Sequence, residues 1–236
     1  MTGIFHGLRR GSVALAACAV ENFDRVLDRL FDRSRTLPAW PRTAIVVTAD
    51  HGEATFERGW DNHGLGLYDD EIAVPLALRL PGVTAVASRC RCAVGLVDLG
   101  PTLYDYLGVN PPGPVFGRSL LRPAEEEAGL DGRVIVSEGV MSQPLHRAVR
   151  DDAHLLVFEP QGGPDGKTLA LFDLKADPGE RRDLLDPQRQ SPSERPIVRS
   201  LISRRRAAVP PFAAPGRLIV PLDPEIERRL RSLGYL

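Results

Sequence analysis

A short run of aliphatic and β-branched residues, Ala44-Ile45-Val46-Val47-Thr48, is followed closely by Asp50-His51-Gly52-Glu53. A run of this length and composition predicts a strand that is buried on both faces. Two side chains that can bind a cation come directly after it. Open α/β sheets place their ligands at the carboxyl ends of strands. We therefore expect an α/β fold with Asp50 and His51 at the edge of its sheet.

An amphipathic helix is predicted before this strand. Its apolar positions recur at intervals of three and four, as a helix requires, and they are Ala16, Val20, Phe23, Leu27 and Leu30. The same region also resembles the end of a lipoprotein signal, since Arg9-Arg10 precede an apolar stretch that ends at Cys18. The helix accounts for more residues. We therefore expect no signal peptide and a chain that, as it stands, is cytoplasmic; no apolar run approaches the roughly 18 residues of a membrane span.

Further apolar segments predict the rest of the organisation. Residues 74–80 predict a strand closed by a turn at Pro81-Gly82, and residues 102–107 predict a helix that Gly108 ends. The second half contains four short apolar runs between turn residues, which predict a small antiparallel sheet. These runs are 134–136, 148–150, 155–158 and 169–172, with helices predicted at 197–206 and 224–230. We expect an α/β part over residues 1–122 and a C-terminal subdomain over residues 123–236.

The charge balance limits the classes of partner. Lys and Arg number 30 against 31 Asp and Glu, which gives a formal net charge of -1. Such a balance does not indicate binding to nucleic acid or to an anionic membrane, so any anion site is local. The three cysteines, Cys18, Cys90 and Cys92, are odd in number and lack the spacing of zinc and redox motifs. We expect them to be reduced thiols outside the site.

The pair Asp50-His51 has two local interpretations. A carboxylate oxygen and an imidazole nitrogen suit a divalent ion such as zinc or manganese, and Gly52 allows a tight turn behind them. Alternatively, Asp50 caps the following turn and His51 is a hydrogen-bonded loop residue. Two ligands do not make a site, so the wider sequence has to decide.

Several longer blocks resemble the sulfatase family of the alkaline phosphatase superfamily. TADHGE and NHGLGLYDDEIAVPLALRLPG match its Asp-His-Gly-Glu strand end and the His-Gly, Tyr-Asp-Glu and Val-Pro-Leu pattern that follows. VGLVDLGPTLYDYLGV, LFDLKADPGERRDLLD and LDPEIERRLRSLGYL match three further segments in the family's order. These blocks span most of the chain from Ala14 onward. The resemblance implies an alkaline-phosphatase-like, mostly parallel sheet flanked by helices, with residues 1–122 as the C-terminal part of the catalytic domain.

The same resemblance implies roles for individual residues. Asp50 and His51 would be ligands of a divalent metal ion, with calcium, manganese, magnesium and zinc left open. His63 lies where related enzymes carry a Lys or His that contacts the sulfuryl or phosphoryl group, or sometimes a second metal. Arg58 departs from the pattern, since many relatives have His at the corresponding position. The implied reaction is in-line displacement on a sulfate or phosphate ester, with His63 as an anion contact or as proton donor to the leaving group.

The family's nucleophile is missing from this sequence. Relatives carry an Asp pair and Cys/Ser-x-Pro-x-Arg in their first half, and neither precedes Asp50. The three cysteines lack the Pro and Arg, and Ser142-Gln143-Pro144-Leu145-His146 has His where Arg belongs. The chain thus resembles only the C-terminal half of a sulfatase. We expect it to lack turnover by itself and to require the missing N-terminal half, which a separate chain could supply.

Two other interpretations stay open. A phosphoester hydrolase or phosphoethanolamine-type transferase on the same scaffold is also compatible with Asp50, His51 and His63. Only the nucleophile, which is missing from this sequence, would distinguish it from a sulfatase. A non-catalytic module that binds a metal, an anion or a partner chain also fits. His146 and His154 have no motif around them and are expected to be structural or exposed.

Overall fold

The computed structural model describes residues 2–83, 93–121, 133–139, 146–159, 167–186, 194–208 and 228. The helices are α1 (Thr2–Arg35), α2 (Asp69–Ile72), α3 (Leu99–Leu107) and α4 (Glu194–Ala208). The strands are β1 (Ile45–Thr48), β2 (Ala54–Thr55), β3 (Asp61–Asn62), β4 (Leu76–Arg79), β5 (Ile135–Glu138), β6 (Arg147–Arg150), β7 (His154–Glu159) and β8 (Lys167–Asp173). The expected boundary at 122/123 lies outside these residues, as does the helix predicted at 224–230 except for Arg228, which is helical.

Helix α1 contains the segment predicted as an amphipathic helix, so that prediction of helical conformation is confirmed. Its apolar stripe is mostly exposed, since the exposed fractions of Val20 and Phe23 are 68% and 54%. Near the C-terminal end Leu27 is half-buried, and the ring of Phe31 lies 6.4 Å from that of Trp40. None of the helices in the described ranges combines the length and the apolar character of a membrane span.

Strand β1 forms where the apolar run predicts it and pairs with β4. The pairing is antiparallel, with Val46 opposite Leu78 and Thr48 opposite Leu76. The sheet expected for the first part of the chain is mostly parallel. In the described residues, the part of it that contains β1 is this one antiparallel pair. The register sets the end of β1 beside the start of β4, so the turn after β1 lies against helix α2, which precedes β4. This arrangement positions the candidate site.

The C-terminal half forms the predicted small antiparallel sheet. Its strand order is β5-β6-β7-β8, and every neighbouring pair is antiparallel. Helix α4 contains the segment predicted as helical at 197–206. A register irregularity between Val157 and Phe158 interrupts the β7–β8 ladder.

Two hydrophobic clusters cover the two faces of this sheet, as the two-residue period of a strand requires. On one face, Leu156 and Phe158 pack with Leu201 and Ile202 of α4. On the other face, the residues of the cluster come from both halves of the chain; they are Leu67, Ala148, Leu155, Val157, Ala170, Phe172 and Leu174, with Tyr68 and Ile72 packed against them. The segment that enters α2 therefore rests on the C-terminal sheet.

Candidate metal centre

Asp50 and His51 lie in the turn that follows β1. The Asp50 side chain is 82% exposed, and its Oδ1 accepts a hydrogen bond from the His51 backbone N–H at 3.0 Å. The same oxygen lies 3.8 Å from His51 Nε2. A carboxylate oxygen and an imidazole nitrogen thus lie side by side after β1, at a separation that one cation could bridge.

The His51 ring is held in the tautomer that a metal ligand needs. Its Nδ1 lies 2.8 Å from the Gly52 carbonyl oxygen. A carbonyl can only accept a hydrogen bond, so Nδ1 carries the proton and donates it. In the neutral ring the lone pair is therefore on Nε2, which lies 3.8 Å from Asp50 Oδ1. A backbone partner of this kind fixes the orientation of many metal-bound histidines.

His63 reaches this turn through the hairpin of β2 and β3. Ala54 pairs with Asn62 in that hairpin, so Glu53 and His63 face each other one step further along. His63 Nδ1 lies 3.1 Å from Glu53 Oε2. The His63 ring stacks on the His51 ring, with centroids 3.9 Å apart and planes inclined by 26°. The hairpin thereby brings His63 against His51, the neighbour of Asp50.

Glu53 is a candidate ligand that the sequence analysis missed. His51, Glu53 and His63 can each offer one ligand atom, and these atoms lie within 4.8 Å of one another. Nδ1 of His63 faces the Glu53 carboxylate, so Nε2 is the ring nitrogen that His63 presents away from Glu53. The signal for Glu53 was its place in the Asp-His-Gly-Glu string, but its partner across the hairpin could not be seen without the β2–β3 register.

Gly52 is required because helix α2 comes very close to the turn. Its N–H donates a hydrogen bond to the Glu71 carbonyl oxygen at 2.7 Å. A Cβ atom at this position would lie 2.3 Å from the Asp70 carbonyl oxygen and 3.2 Å from the Asp70 carbonyl carbon. Both neighbours are backbone atoms that cannot swing away. The requirement for glycine is therefore one of space.

We expect Gly52→Ala to lower the free energy of unfolding by about 1–3 kcal/mol, the usual effect of forcing atoms into a packed site. Urea unfolding of the purified chain measures it. Gly11→Ala is the matched control, because Gly11 is an exposed residue of α1 with no neighbouring atom within 4 Å of its missing Cβ. There alanine should stabilise the helix by up to about 1 kcal/mol. Equal stability of Gly52→Ala and the parent protein would contradict the close approach.

Arg58, which departs from the family pattern, is bound to the C-terminal half of the chain. Its guanidinium forms an ion pair with the Glu180 carboxylate, donates from Nη1 to the Glu180 carbonyl at 3.0 Å, and lies 3.4 Å from Asp70 Oδ2 through Nε. It also stacks 3.8 Å above the Tyr68 ring. With only 16% of its side chain exposed, Arg58 connects the loop of the hairpin to Glu180 in the segment that follows β8.

Burial perturbs the acids around this arginine. Burial, with the nearby charge of Asp69 acting in the same direction, raises the pKa of Glu180 to about 7. Burial also raises the pKa of Asp70 above its ordinary value. Perturbed carboxyls often mark functional sites, but here their contacts are those of an ion-pair network behind the hairpin.

The other residues considered from the sequence lie apart from this centre. His146 Nε2 is 4.0 Å from Glu159 Oε1, and His154 Nδ1 is 3.5 Å from Asp151 Oδ1, both at the C-terminal sheet. Cys18 is an exposed free thiol on α1. Cys90, Cys92 and residues 142–145 lie outside the described residues.

Comparison with known proteins identifies the family. Residues 10–109 match the profile of the Sulfatase family. Over 202 residues the chain is 25% identical to the N-acetylglucosamine-6-O-sulfatase of Bacteroides thetaiotaomicron, a match that covers 81% of this chain and 34% of that protein. Residues 10–109 belong to the sulfatase family. Its relatives are metal-dependent in general, which agrees with the donor atoms at the end of β1.

The chain also resembles other proteins of the alkaline phosphatase superfamily. It is 29% identical over 181 residues to the multifunctional alkaline phosphatase superfamily protein PehA of Trinickia caryophylli, covering 70% of the chain and 34% of PehA. The phosphonate monoester hydrolase of Agrobacterium radiobacter matches in structure with a TM-score of 0.62 at 22% identity, over 79% of this chain and 39% of that one. The fold is therefore alkaline-phosphatase-like α/β with a small antiparallel sheet. The chain spans about a third of the length of the curated relatives it matches.

Proposed function

We propose that this chain carries the metal-binding portion of a sulfatase-like hydrolase of sulfate esters. The observation that carries the proposal is the proximity of Asp50 Oδ1 and His51 Nε2, 3.8 Å apart in the turn after β1. The family match and the sulfate-ester chemistry in the name of the Bacteroides relative support the substrate class.

The donor set fits a divalent cation. Asp50 and His51 would hold it, and when bound it would draw negative charge from the group being transferred. Calcium, magnesium, manganese and zinc all remain candidates, although an imidazole nitrogen suits manganese and zinc better than the all-oxygen preference of calcium. Glu53 and His63 bring two further donors to the same edge.

His63 is proposed as the anion contact or as the proton donor to the leaving group. Its Nδ1 lies 3.1 Å from Glu53 Oε2, within hydrogen-bond distance. Nε2 is therefore the ring nitrogen that can contact the substrate. A carboxylate behind an imidazole orients the ring and stabilises its protonated form. Glu53 would therefore keep the His63 ring in the orientation that presents Nε2 to an anionic substrate.

A phosphoester or phosphonate ester substrate is the second candidate. It is favoured by the structural match to the phosphonate monoester hydrolase and by the sequence match to PehA. Sulfate and phosphate esters present similar tetrahedral anions to Asp50, His51 and His63. The nucleophile motif, which the sequence lacks before Asp50, would separate the two.

Metal titration of the purified chain tests the proposal. We expect weak binding of manganese or zinc by the parent protein, because few protein ligands hold the ion, and loss of that binding in His51→Ala. Isothermal calorimetry measures both. His146→Ala is the matched control, since it removes a histidine at the C-terminal sheet and should bind like the parent. Equal affinity in His51→Ala and the parent would refute the assignment.

The same preparations should be assayed with para-nitrophenyl sulfate and para-nitrophenyl phosphate. No turnover is expected from these 236 residues alone, with any metal. Turnover that His51→Ala abolishes would show that a nucleophile lies within them, and the preferred ester would then decide between the two substrate classes.

A further inference from the structure

We propose that Glu71 is the positioning residue of the candidate centre, because its buried carboxylate sets where His63 stands relative to His51. The importance of this role rests on the function proposed above. The placement itself rests on contacts of Glu71 that involve neither metal nor substrate.

The Glu71 side chain holds the hairpin on both sides of His63. Glu71 is 3% exposed. Its Oε1 accepts a hydrogen bond from the Trp60 indole Nε1 at 3.1 Å, and its Oε2 accepts one from the Leu65 backbone N–H at 3.1 Å. Trp60 precedes His63 by three residues and Leu65 follows it by two. One carboxylate therefore fixes both ends of the short segment that carries the imidazole.

The Glu71 backbone holds the other histidine. Its carbonyl oxygen accepts the Gly52 N–H at 2.7 Å, directly after His51. Both turns of the centre are thus attached to a single residue of α2. The fit leaves little room, since a Cβ atom on Gly66 would lie 3.1 Å from Glu71 Oε1 and 2.8 Å from the Tyr68 ring.

The geometry explains why this position carries a glutamate. An ionised carboxylate offers two acceptor oxygens and no donor, which matches two N–H donors. Glutamine would turn an NH₂ group toward one of them, and alanine would leave both without an acceptor. A buried donor without a partner is unfavourable, so in either variant the segment from Trp60 to Leu65 should move. Displacement of a site residue by about 1 Å can lower a catalytic rate about a hundredfold.

The test reads the position of His63 directly by NMR of the full chain with isotope-labelled histidine. The stacked rings of His51 and His63, with centroids 3.9 Å apart, should give a nuclear Overhauser effect between their ring protons. We expect Trp60→Phe, which removes one donor and keeps an aromatic ring, to weaken this effect. Glu71→Gln should abolish it and weaken manganese binding about tenfold or more, as is usual when a residue that orients a metal ligand is lost.

Tyr106→Phe is the matched control, because it removes a hydrogen bond of similar length, 2.9 Å to the Pro81 carbonyl, away from the centre. It should leave the His51–His63 effect intact. An unchanged effect in a folded Glu71→Gln protein, even with a lowered melting temperature, would reduce Glu71 to a stabilising role and overturn the proposal. If Glu71→Gln does not fold, an unchanged effect in Trp60→Phe overturns it.

The two proposals fail separately. Loss of the ring contact in Trp60→Phe together with equal metal affinity in His51→Ala would leave the positioning role standing and remove the metal assignment. Loss of metal binding in His51→Ala with an unchanged ring contact in both Glu71→Gln and Trp60→Phe would support the metal assignment and remove the positioning role of Glu71.

Discussion

Replacing Arg58 with alanine is expected to lower the free energy of unfolding at pH 8 by about 3–5 kcal/mol, the usual effect of leaving a buried charge without its partner. The Glu180 side chain is 1% exposed, and its carboxylate is paired with Arg58. Two oxygens of Glu180 also accept from the Asp69 backbone N–H at 3.2 Å, but one N–H cannot replace a guanidinium. Urea unfolding of the parent and the variant measures the difference.

The pH dependence of stability supplies a second readout of the same pair. Burial raises the pKa of Glu180 in the folded protein to about 7, from 4.5 for an ordinary glutamate. The folded state therefore binds this proton more tightly than the unfolded chain. Glu180 accordingly makes the free energy of unfolding fall as the pH rises from 4.5 to about 7. Glu180→Gln should remove this slope, and the loss in Arg58→Ala should be smaller at pH 6 than at pH 8.

Arg181→Ala is the control for both measurements. Arg181 is an exposed neighbour of Glu180, so its replacement should change the free energy of unfolding by less than about 0.5 kcal/mol. Equal stability of Arg58→Ala and the parent at pH 8 would show that the ion pair contributes nothing. An unchanged pH slope in Glu180→Gln would show that another group titrates in this range.

The Arg58 ion pair links two parts of the chain that the sequence predicts as separate. Arg58 lies within residues 1–122 and Glu180 within residues 123–236. Hydrophobic contacts follow the same path, since Leu67 belongs to the cluster of Phe172 and the ring of Tyr68 lies 5.9 Å from that of Phe172. The segment around the hairpin that carries His63 therefore packs against the C-terminal part of the chain. Loss of these contacts should disturb the candidate centre.

The sequence predicted the elements that bury apolar residues at a regular period. Strand β1, helix α3 and the four strands of the C-terminal sheet all form where apolar runs or alternation indicate them. Each contains enough apolar positions for its period to be recognised. Asp50 and His51 could be placed at the end of β1 for the same reason, because the strand that precedes them was visible.

The β2–β3 hairpin could not be predicted, and Glu53 was missed with it. Each strand has only two residues, and Asp61 and Asn62 are exposed and polar, so no alternation appears. Phe56 and Asn62 adopt positive φ angles of 64° and 88°. Asparagine favours this region of φ, but phenylalanine does not, so the conformation of Phe56 could not be predicted from its residue type. The long-range contact of Arg58 with Glu180 spans 122 residues and has no local signal either.

The segment that resembles the family's Asp-x-x-Pro-Thr pattern is explained by a buried hub around Asp98. Asp98 is 0% exposed. Its Oδ2 accepts from the Gly95 N–H at 2.9 Å, and its Oδ1 accepts from the Arg118 N–H at 2.9 Å and pairs with the Arg133 guanidinium. Thr102 donates to the Asp98 carbonyl at 2.6 Å and accepts from the Leu120 N–H at 3.0 Å. The pattern thus ties α3 to the chain on both sides of it.

We expect Asp98→Ala to lower the free energy of unfolding by about 3–5 kcal/mol, because Arg133, whose side chain is 9% exposed, would lose the carboxylate that pairs with it. In an Arg133→Met protein, Asp98→Ala should lower the free energy of unfolding by up to about 3 kcal/mol less than in the parent, since no buried cation remains. Denaturant unfolding of the four proteins of this cycle measures both numbers. Asp105→Ala is the control, because Asp105 is an exposed acid on the same helix, whose carboxylate accepts a hydrogen bond from Ser119 Oγ. Additive losses in the cycle would mean that Asp98 acts through the backbone N–H groups alone, and that the arginine is not what makes an acid necessary at this position.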